Sequence, residues 1–409
     1  MYFSEKNILS STSDYERNWY TAIILIIVAS CLSLFTMYSL LFIILILLFC
    51  NTRWALYGLA ISVSFYIAIL SFLNNPLGSD IGDVVRVYES YNYINDFGGG
   101  AYFVEQAKYF RYIVFKVLSF LDLEPNIYTL LCVFTSYLCL YLSLINVTND
   151  NEMLLKSIFS KMIFILVPIC LVPFSIFHSY ENITAISIFS YALTISQNNN
   201  KRKLILFFLS ILVHSVSVIY VSIYYFVKVK QDRNMFKKIS LTALFLLILS
   251  ISMVFFNSYI NEKVTVYILG QWSYYSRFTD KVYFFQFAVT TLMIFFIWRK
   301  LSAGNAFSPN SIYIKIIPIL ILLSIFIIYF RTPFFRASLA LMIISVPIVF
   351  LGAIKKDVYT ALLSFLVLCI SIFSYGNSSF VLNIIDREVG PDFLLIRGFV
   401  ELFEYKLIY

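Results

Sequence analysis

The stretch "NNPLGSDIGDVVRVYESYNYINDFGGG", residues 74–100, gathers the chain's most chemically suggestive spacing. Asp80 and Asp83 lie three residues apart, Arg86 follows by three more, and Tyr88 and Tyr91 repeat the interval. A helix over 79–94 would carry carboxylates and a guanidinium at its start and aromatic rings behind them. Such a set can take a proton, hold a phosphate and stack on a sugar. The plainer reading is a solvated helix whose acids favour the positive end of its dipole. In "FHSYENITA", His178 and Glu181 can share one helical turn, as a base–carboxylate pair, as substrate contacts, or as a polar cap. His214 interrupts the apolar run "LILFFLSILVHSVSVIYVSIYYFV", residues 204–227. An ionisable side chain in such a place is a functional candidate, the alternative being a histidine bonded to a neighbouring helix.

The arginines suggest an anionic ligand. Arg277 lies in "GQWSYYSRFTDK", Arg331 and Arg336 bracket "RTPFFR", and Arg387 and Arg397 lie near the end of the chain. The planar guanidinium fork bonds two oxygens of a phosphate at once. Snorkelling to lipid head groups would explain any one of them equally well. No Cys, His or acid cluster has metal-ligand spacing, so no metal is expected. There is no Walker A sequence, no dinucleotide fingerprint, no G-x-S-x-G and no zincin pattern, so no cofactor is expected either.

These residues must be positioned by an overwhelmingly apolar chain. Of 409 residues, 61% are hydrophobic and only 13% are charged. A soluble protein of this size has too little interior to hide so much apolar surface. The expectation is an all-α polytopic membrane protein with about 11–12 transmembrane helices. Apolar runs fall at 20–35, 37–50, 54–73, 127–146, 157–176, 182–196, 239–257, 282–298, 312–330, 334–354 and 358–375. The six cysteines lie within such runs, which fits buried thiols and not a disulfide framework. The polar start "MYFSEKNILSSTSDYERNWY" does not read as a cleavable signal peptide. The net charge of +8 is spread along short loops, so topology explains it better than nucleic acid, and no nucleic-acid partner is expected.

The run 204–227 has "KRK" before it and "KVKQDRNMFKK" after it. Basic loops stay in the cytoplasm, yet a single crossing would put one flank outside and invert every later loop. A re-entrant hairpin with its apex near His214-Ser215 removes the conflict. Each arm would hold about 11 residues, roughly 16 Å of helix, too little to cross. The chain is then a single integral membrane domain, residues 1–409. Outside the cytoplasm lie a large loop 74–126, a short turn near 177–181, a loop 258–281 and the tail 376–409. Within the first of these, 109–121 reads as an amphipathic helix along the outer interface.

The chain resembles bacterial O-antigen and capsule repeat-unit polymerases of the Wzy type, in the broad group of EpsG-like exopolysaccharide polymerases. The resemblance rests on Gly78-Ser79-Asp80 after an early span, with spaced tyrosines behind it. It rests also on His214-Ser215 within a mid-chain apolar run, and on Arg331 and Arg336 near the last spans. It implies a GT-C-like glycosyltransferase at the periplasmic face of the bacterial inner membrane. Its partners would be undecaprenyl-diphosphate-linked oligosaccharides as donor and acceptor, the lipid bilayer, and a chain-length regulator. Asp80, Asp83 and His214 would be catalytic. Arg86, Tyr88, Tyr91, His178, Glu181, Arg277, Arg331 and Arg336 would bind substrate. An O-antigen ligase and a lipid-linked oligosaccharide flippase or other transporter are the alternatives; a transporter would show charged spans and repeated halves, and no repeat stands out.

Overall fold

A computed structural model describes residues 37–50, 52–73, 91–92, 94, 109–123, 125–148, 157–172, 180–195, 199–229, 281–303, 312–326, 331–354 and 357–376. Among them are twelve helices and no strand. In chain order these are α1 (Met37–Phe49), α2 (Arg53–Leu73), α3 (Tyr109–Phe120), α4 (Asn126–Thr148), α5 (Ile158–Leu171) and α6 (Tyr180–Thr194). They continue with α7 (Asn200–Val213), α8 (Ser217–Val229), α9 (Lys281–Ala303), α10 (Ile312–Phe326), α11 (Arg331–Ile354) and α12 (Val358–Gly376). The apolar runs 20–35 and 239–257, the loop 258–280 and the tail 377–409 fall outside the described residues.

Local chemistry sets several boundaries. Ser157 caps α5 by accepting the Ser160 N–H at 3.0 Å. After α3 the chain turns through Asp122 at φ 53°, a conformation an aspartate tolerates better than most side chains. Lys161 closes the end of α1 from a distance. Its ammonium is buried and donates to the carbonyls of Leu48 at 2.9 Å and Cys50 at 2.7 Å, acceptors that have no N–H donor left within the helix.

The bundle is built around α6. Every residue from Tyr180 to Leu193 is buried, and α4, α7, α8, α10 and α11 all pack against it. Its small polar side chains let neighbours approach closely and supply bonds to them. Thr184 Oγ1 donates to the Tyr180 carbonyl at 2.7 Å and stands 3.0 Å from Ser136 Oγ on α4. Lower down, Asn146 of α4 donates to Thr194 of α6 at 3.2 Å, so the two helices run parallel. Tyr137 and Tyr141 of α4 donate to the carbonyls of Val172, just past the end of α5, and Ile165, at its middle, which makes α5 antiparallel to both.

Two helices are long and apolar enough within the described residues to cross a membrane: Ile127–Thr148, with mean hydropathy 2.0, and Ala337–Ile354, with 2.5. The stretches Leu40–Phe49, Arg53–Ile69, Ile158–Leu171, Ser217–Lys228 and Val358–Ser371 are apolar but shorter. The outer surface is rich in large apolar side chains, among them Phe42, Phe49, Ile61, Phe208, Leu322 and Leu362. A water-facing bundle buries such residues.

Of the described glycines Gly352 is the more tightly packed, where α11 meets α9 and α12. A methyl group there would overlap Ser364 Oγ and stand 2.9 Å from Ile297 Cγ2. Gly352→Ala is therefore expected to destabilise the purified chain by about 1–3 kcal/mol in thermal unfolding. Gly58→Ala is the control. Its methyl meets only the tip of Leu47 at 3.3 Å, and alanine's helix preference should leave it neutral or stabilising.

Candidate functional site

On α3, the spacing of Arg111, Phe115 and Leu118 places all three on one stripe, and that stripe faces inward. The opposite side, with Tyr109, Ile113, Val117 and Phe120, faces outward. The expected amphipathic helix thus has its strongest charge on the buried side and hydrocarbon on the exposed one. At 1% exposure Arg111 needs a partner, and Glu181 in the first turn of α6 supplies it. The Nε–Oε1 distance is 2.6 Å. Tyr128, at the start of α4, donates its hydroxyl to the same carboxylate oxygen at 2.7 Å. Its ring lies 5.7 Å from the Arg111 guanidinium carbon. Charge-assisted hydrogen bonds of this length are the strong kind, and the three groups tie α3, α4 and α6 together at one pole.

An aromatic chain extends this centre. The Phe115 ring meets Tyr128 edge-on at 5.2 Å and Tyr91 edge-on at 5.5 Å. Tyr91 donates its hydroxyl to the Leu123 carbonyl at 3.0 Å. Lys116 reaches back to the Ile94 carbonyl at 2.8 Å. The segment around Tyr91 is thereby held against α3.

His214 stands where the helix breaks. α7 ends at Val213, His214 is extended at φ −151°, ψ 122°, and α8 begins at Ser217. Its Nδ1 accepts the Val216 N–H at 3.2 Å, which places the hydrogen of a neutral ring on Nε2. The two arms fold back on each other: Phe207 of α7 meets Tyr224 of α8 at 4.7 Å. α7 also runs antiparallel to α6, with Phe207 against Phe189 at 5.4 Å and Ser210 Oγ donating to the Ala185 carbonyl at 2.7 Å. Four residues beyond Ser210 is His214, and four residues before Ala185 is Glu181. The joint therefore lies level with the ion pair along α6. Val213 belongs to one packed cluster with Ala185 and Ile188, and Phe110, the neighbour of Arg111, packs against that cluster.

Two donors at this level remain unspent. Asn182 lies one α-helical stripe with Phe189, the face that receives α7 and α8. Its Nδ2 and the hydroxyl of Ser217 are buried and find no hydrogen-bond partner among the described residues.

Of the residues singled out in the sequence, Tyr91, Glu181 and His214 gather at this pole. Arg331 and Arg336 begin α11, and their side chains are not among those described. Phe350 of α11 meets Phe164 of α5 at 6.2 Å, and Phe164 meets Tyr141 of α4 at 5.1 Å. Gly352 lies against Ser364 of α12, and Phe365 meets Phe159 at the start of α5, so α11 runs toward the start of α5 and its own start lies toward the level of Tyr128. Asp80, Asp83, Arg86, Tyr88, His178 and Arg277 lie outside the described residues, as do Arg387 and Arg397. Among the described residues no group of His, Cys, Asp or Glu could hold a metal ion.

A model of the EpsG family matches residues 110–385, which spans α3 to α12. The chain belongs to the EpsG family. Membership ties it to polysaccharide biosynthesis at a membrane. No curated protein and no solved structure matches.

Sequence reasoning missed Arg111 and Tyr128 as members of the centre. The signal was present: Arg111 stands at the first position of an i, i+4, i+7 stripe otherwise filled by Phe115 and Leu118, which commits a charge to the interior. Arg111→Met is expected to destabilise the folded chain by about 3–5 kcal/mol, because it leaves the Glu181 carboxylate buried without its cation. Adding Glu181→Met should restore most of that loss. Thermal unfolding of the two variants checks this, and a double variant as unstable as the single one would contradict it.

Proposed function

We propose that this EpsG-family chain is a glycosyltransferase that joins oligosaccharide repeat units carried on undecaprenyl diphosphate. The product is an O-antigen or capsular polysaccharide, made at the periplasmic face of the bacterial inner membrane. The observation that carries the reading is the joint at His214, held level with the Arg111–Glu181–Tyr128 centre inside a family linked to polysaccharide synthesis.

Sidedness follows from charge. Lys161, Lys203 and Lys228 lie at the opposite pole from the ion pair, because α5 and α7 start there and α8 ends there. Basic ends favour the cytoplasm, which turns the His214 pole outward. α7 and α8 hold 14 and 13 residues, roughly 20 Å of helix each, short of the 30 Å of hydrocarbon. In this reading the pair enters from the cytoplasmic side and returns to it, with its non-helical joint packed against α6.

The reaction needs a leaving group stabilised, a hydroxyl activated and sugars oriented. The bond between the anomeric carbon of the growing chain and its lipid diphosphate breaks, and a new bond forms to a sugar hydroxyl of the incoming unit. Arg277, Arg331 and Arg336 would hold the diphosphate as its negative charge develops. His214, Asp80 or Asp83 would take the hydroxyl proton. Asn182 and Ser217 would bond sugar hydroxyls with their unspent donors. Tyr88 and Tyr91 would offer ring faces, and Arg86, His178 and Glu181 complete the lining.

His214→Ala and Arg336→Ala should each shift the surface glycan from a long ladder to single repeat units at normal protein levels. An unchanged ladder would contradict the assigned roles. Deletion of the gene separates the classes: loss of a polymerase leaves one capped unit, loss of a ligase leaves bare core, and loss of a flippase leaves units trapped inside.

A further inference from the structure

The opposite pole carries a charge arrangement that the polymerase reading does not use. The first turn of α7 holds Lys201, Arg202 and Lys203 and no acid. A helix start is already the positive end of its dipole, so three cations there oppose it. The preceding residue, Asn199, makes no side-chain capping bond to the free N–H groups. The fold then adds a fourth cation. The last turn of α8 brings Lys228 to the same ring that Lys203 covers: the two ammonium nitrogens lie 6.0 and 5.7 Å from the centroid of Tyr224.

Most of this positive charge could be a solvated basic end. Lys201 is exposed, and Arg202 is settled on Tyr191, whose hydroxyl accepts from it at 2.5 Å. Lys203 is different. It is 4% exposed, and among the described residues no carboxylate and no hydrogen-bond acceptor meets its ammonium. Its surroundings are the Tyr224 ring and a second lysine. Burial first, and the nearby Lys228 second, push its pKa down to about 8. A ring face attracts a cation, yet one ring shared by two ammonium groups does not offset their repulsion and desolvation.

We propose that Lys203, Lys228 and the uncapped start of α7 form an anion site that takes a phosphate group. A phosphate accepts from both ammonium groups and from backbone N–H groups at once, and its charge satisfies the dipole and the lysines together. The same chemistry is presented by the headgroup of an anionic phospholipid and by a free phosphate. The site lies at the far end of α7 from His214, so it stands whether or not the polymerase reading does.

The test uses the full chain purified in a neutral detergent at constant ionic strength. Thermal unfolding is followed with inorganic phosphate replacing chloride, and separately with phosphatidylglycerol or phosphatidylcholine mixed into the micelles. The expected result is a rise in Tm of several degrees with phosphatidylglycerol, with phosphate, or with both, and its loss in Lys203→Gln/Lys228→Gln. A rise with phosphatidylglycerol alone assigns the site to a lipid headgroup, and a comparable rise with phosphate assigns it to the free anion. No rise in either arm, an equal rise with phosphatidylcholine, or a rise that survives the double substitution overturns the proposal. Amine acetylation at pH 8, read by mass spectrometry on the unsubstituted chain, keeps the test decisive where the double variant does not fold. Saturating phosphate or phosphatidylglycerol, whichever raised Tm, should protect the partly exposed Lys228 while leaving Lys201 labelled, and equal labelling of Lys228 with and without it overturns the proposal.

Discussion

A guanidinium and a carboxylate cannot be removed from water unless each is met, and that demand organises one whole pole of this bundle. Arg111 and Glu181 are seventy residues apart and almost fully buried. Once they pair, sliding α3 along α6 by one turn would separate the two charges and leave each buried without its counter-ion. Tyr128 extends the constraint to α4 by donating to the same oxygen. The edge-on contacts through Phe115 carry it to Tyr91. Desolvation offsets much of the pair's attraction, so its effect lies in the cost of breaking it, which any other register of α3 on α6 would incur.

The second constraint is length. α7 leaves the basic pole, packs antiparallel on α6 and stops at the level of the ion pair. The chain then returns as α8 to where it began, with Lys203 and Lys228 against one tyrosine. His214 breaks the helix with an extended backbone and a ring that accepts the Val216 N–H. The chain thereby delivers an imidazole to a place that a continuous helix would have passed by. Charges sort to the two ends accordingly: lysines where the arms begin and finish, and the arginine–carboxylate pair beside their joint.

How much of this was legible in the sequence differs by feature, for physical reasons. The helices and most of their limits follow from apolar runs of the right length, and the break at His214, with α7 and α8 packed on each other, falls where the sequence reading put the apex of its hairpin. Glu181 and His214 were visible as ionisable residues beside or within apolar runs, and Tyr91 as one of the spaced tyrosines of a polar stretch. The partnership of Arg111 was not, because local spacing reveals that a side chain faces inward without revealing what it meets across seventy residues. Tyr128 was hidden for the opposite reason. Among 31 tyrosines, nothing in its immediate neighbours distinguishes one whose hydroxyl is committed to a carboxylate. The number of crossings rested on hydropathy alone. Among the described residues two helices meet both the length and the hydropathy of a crossing.

The composition of α6 is the last step. A helix buried along fourteen consecutive residues would be expected to be uniformly apolar, yet this one carries Glu181, Asn182, Thr184, Ser187 and Ser190. Glu181 and Thr184 are committed to α3 and α4. Asn182, Ser187 and Ser190 find no partner among the described residues, and each such group costs about 1–3 kcal/mol when left unmet. Packing gives no reason to keep them, since alanine would fit the same close approach. In the proposed reading Asn182, level with His214, would be a donor already desolvated and fixed in direction, its penalty relieved when a sugar hydroxyl meets it.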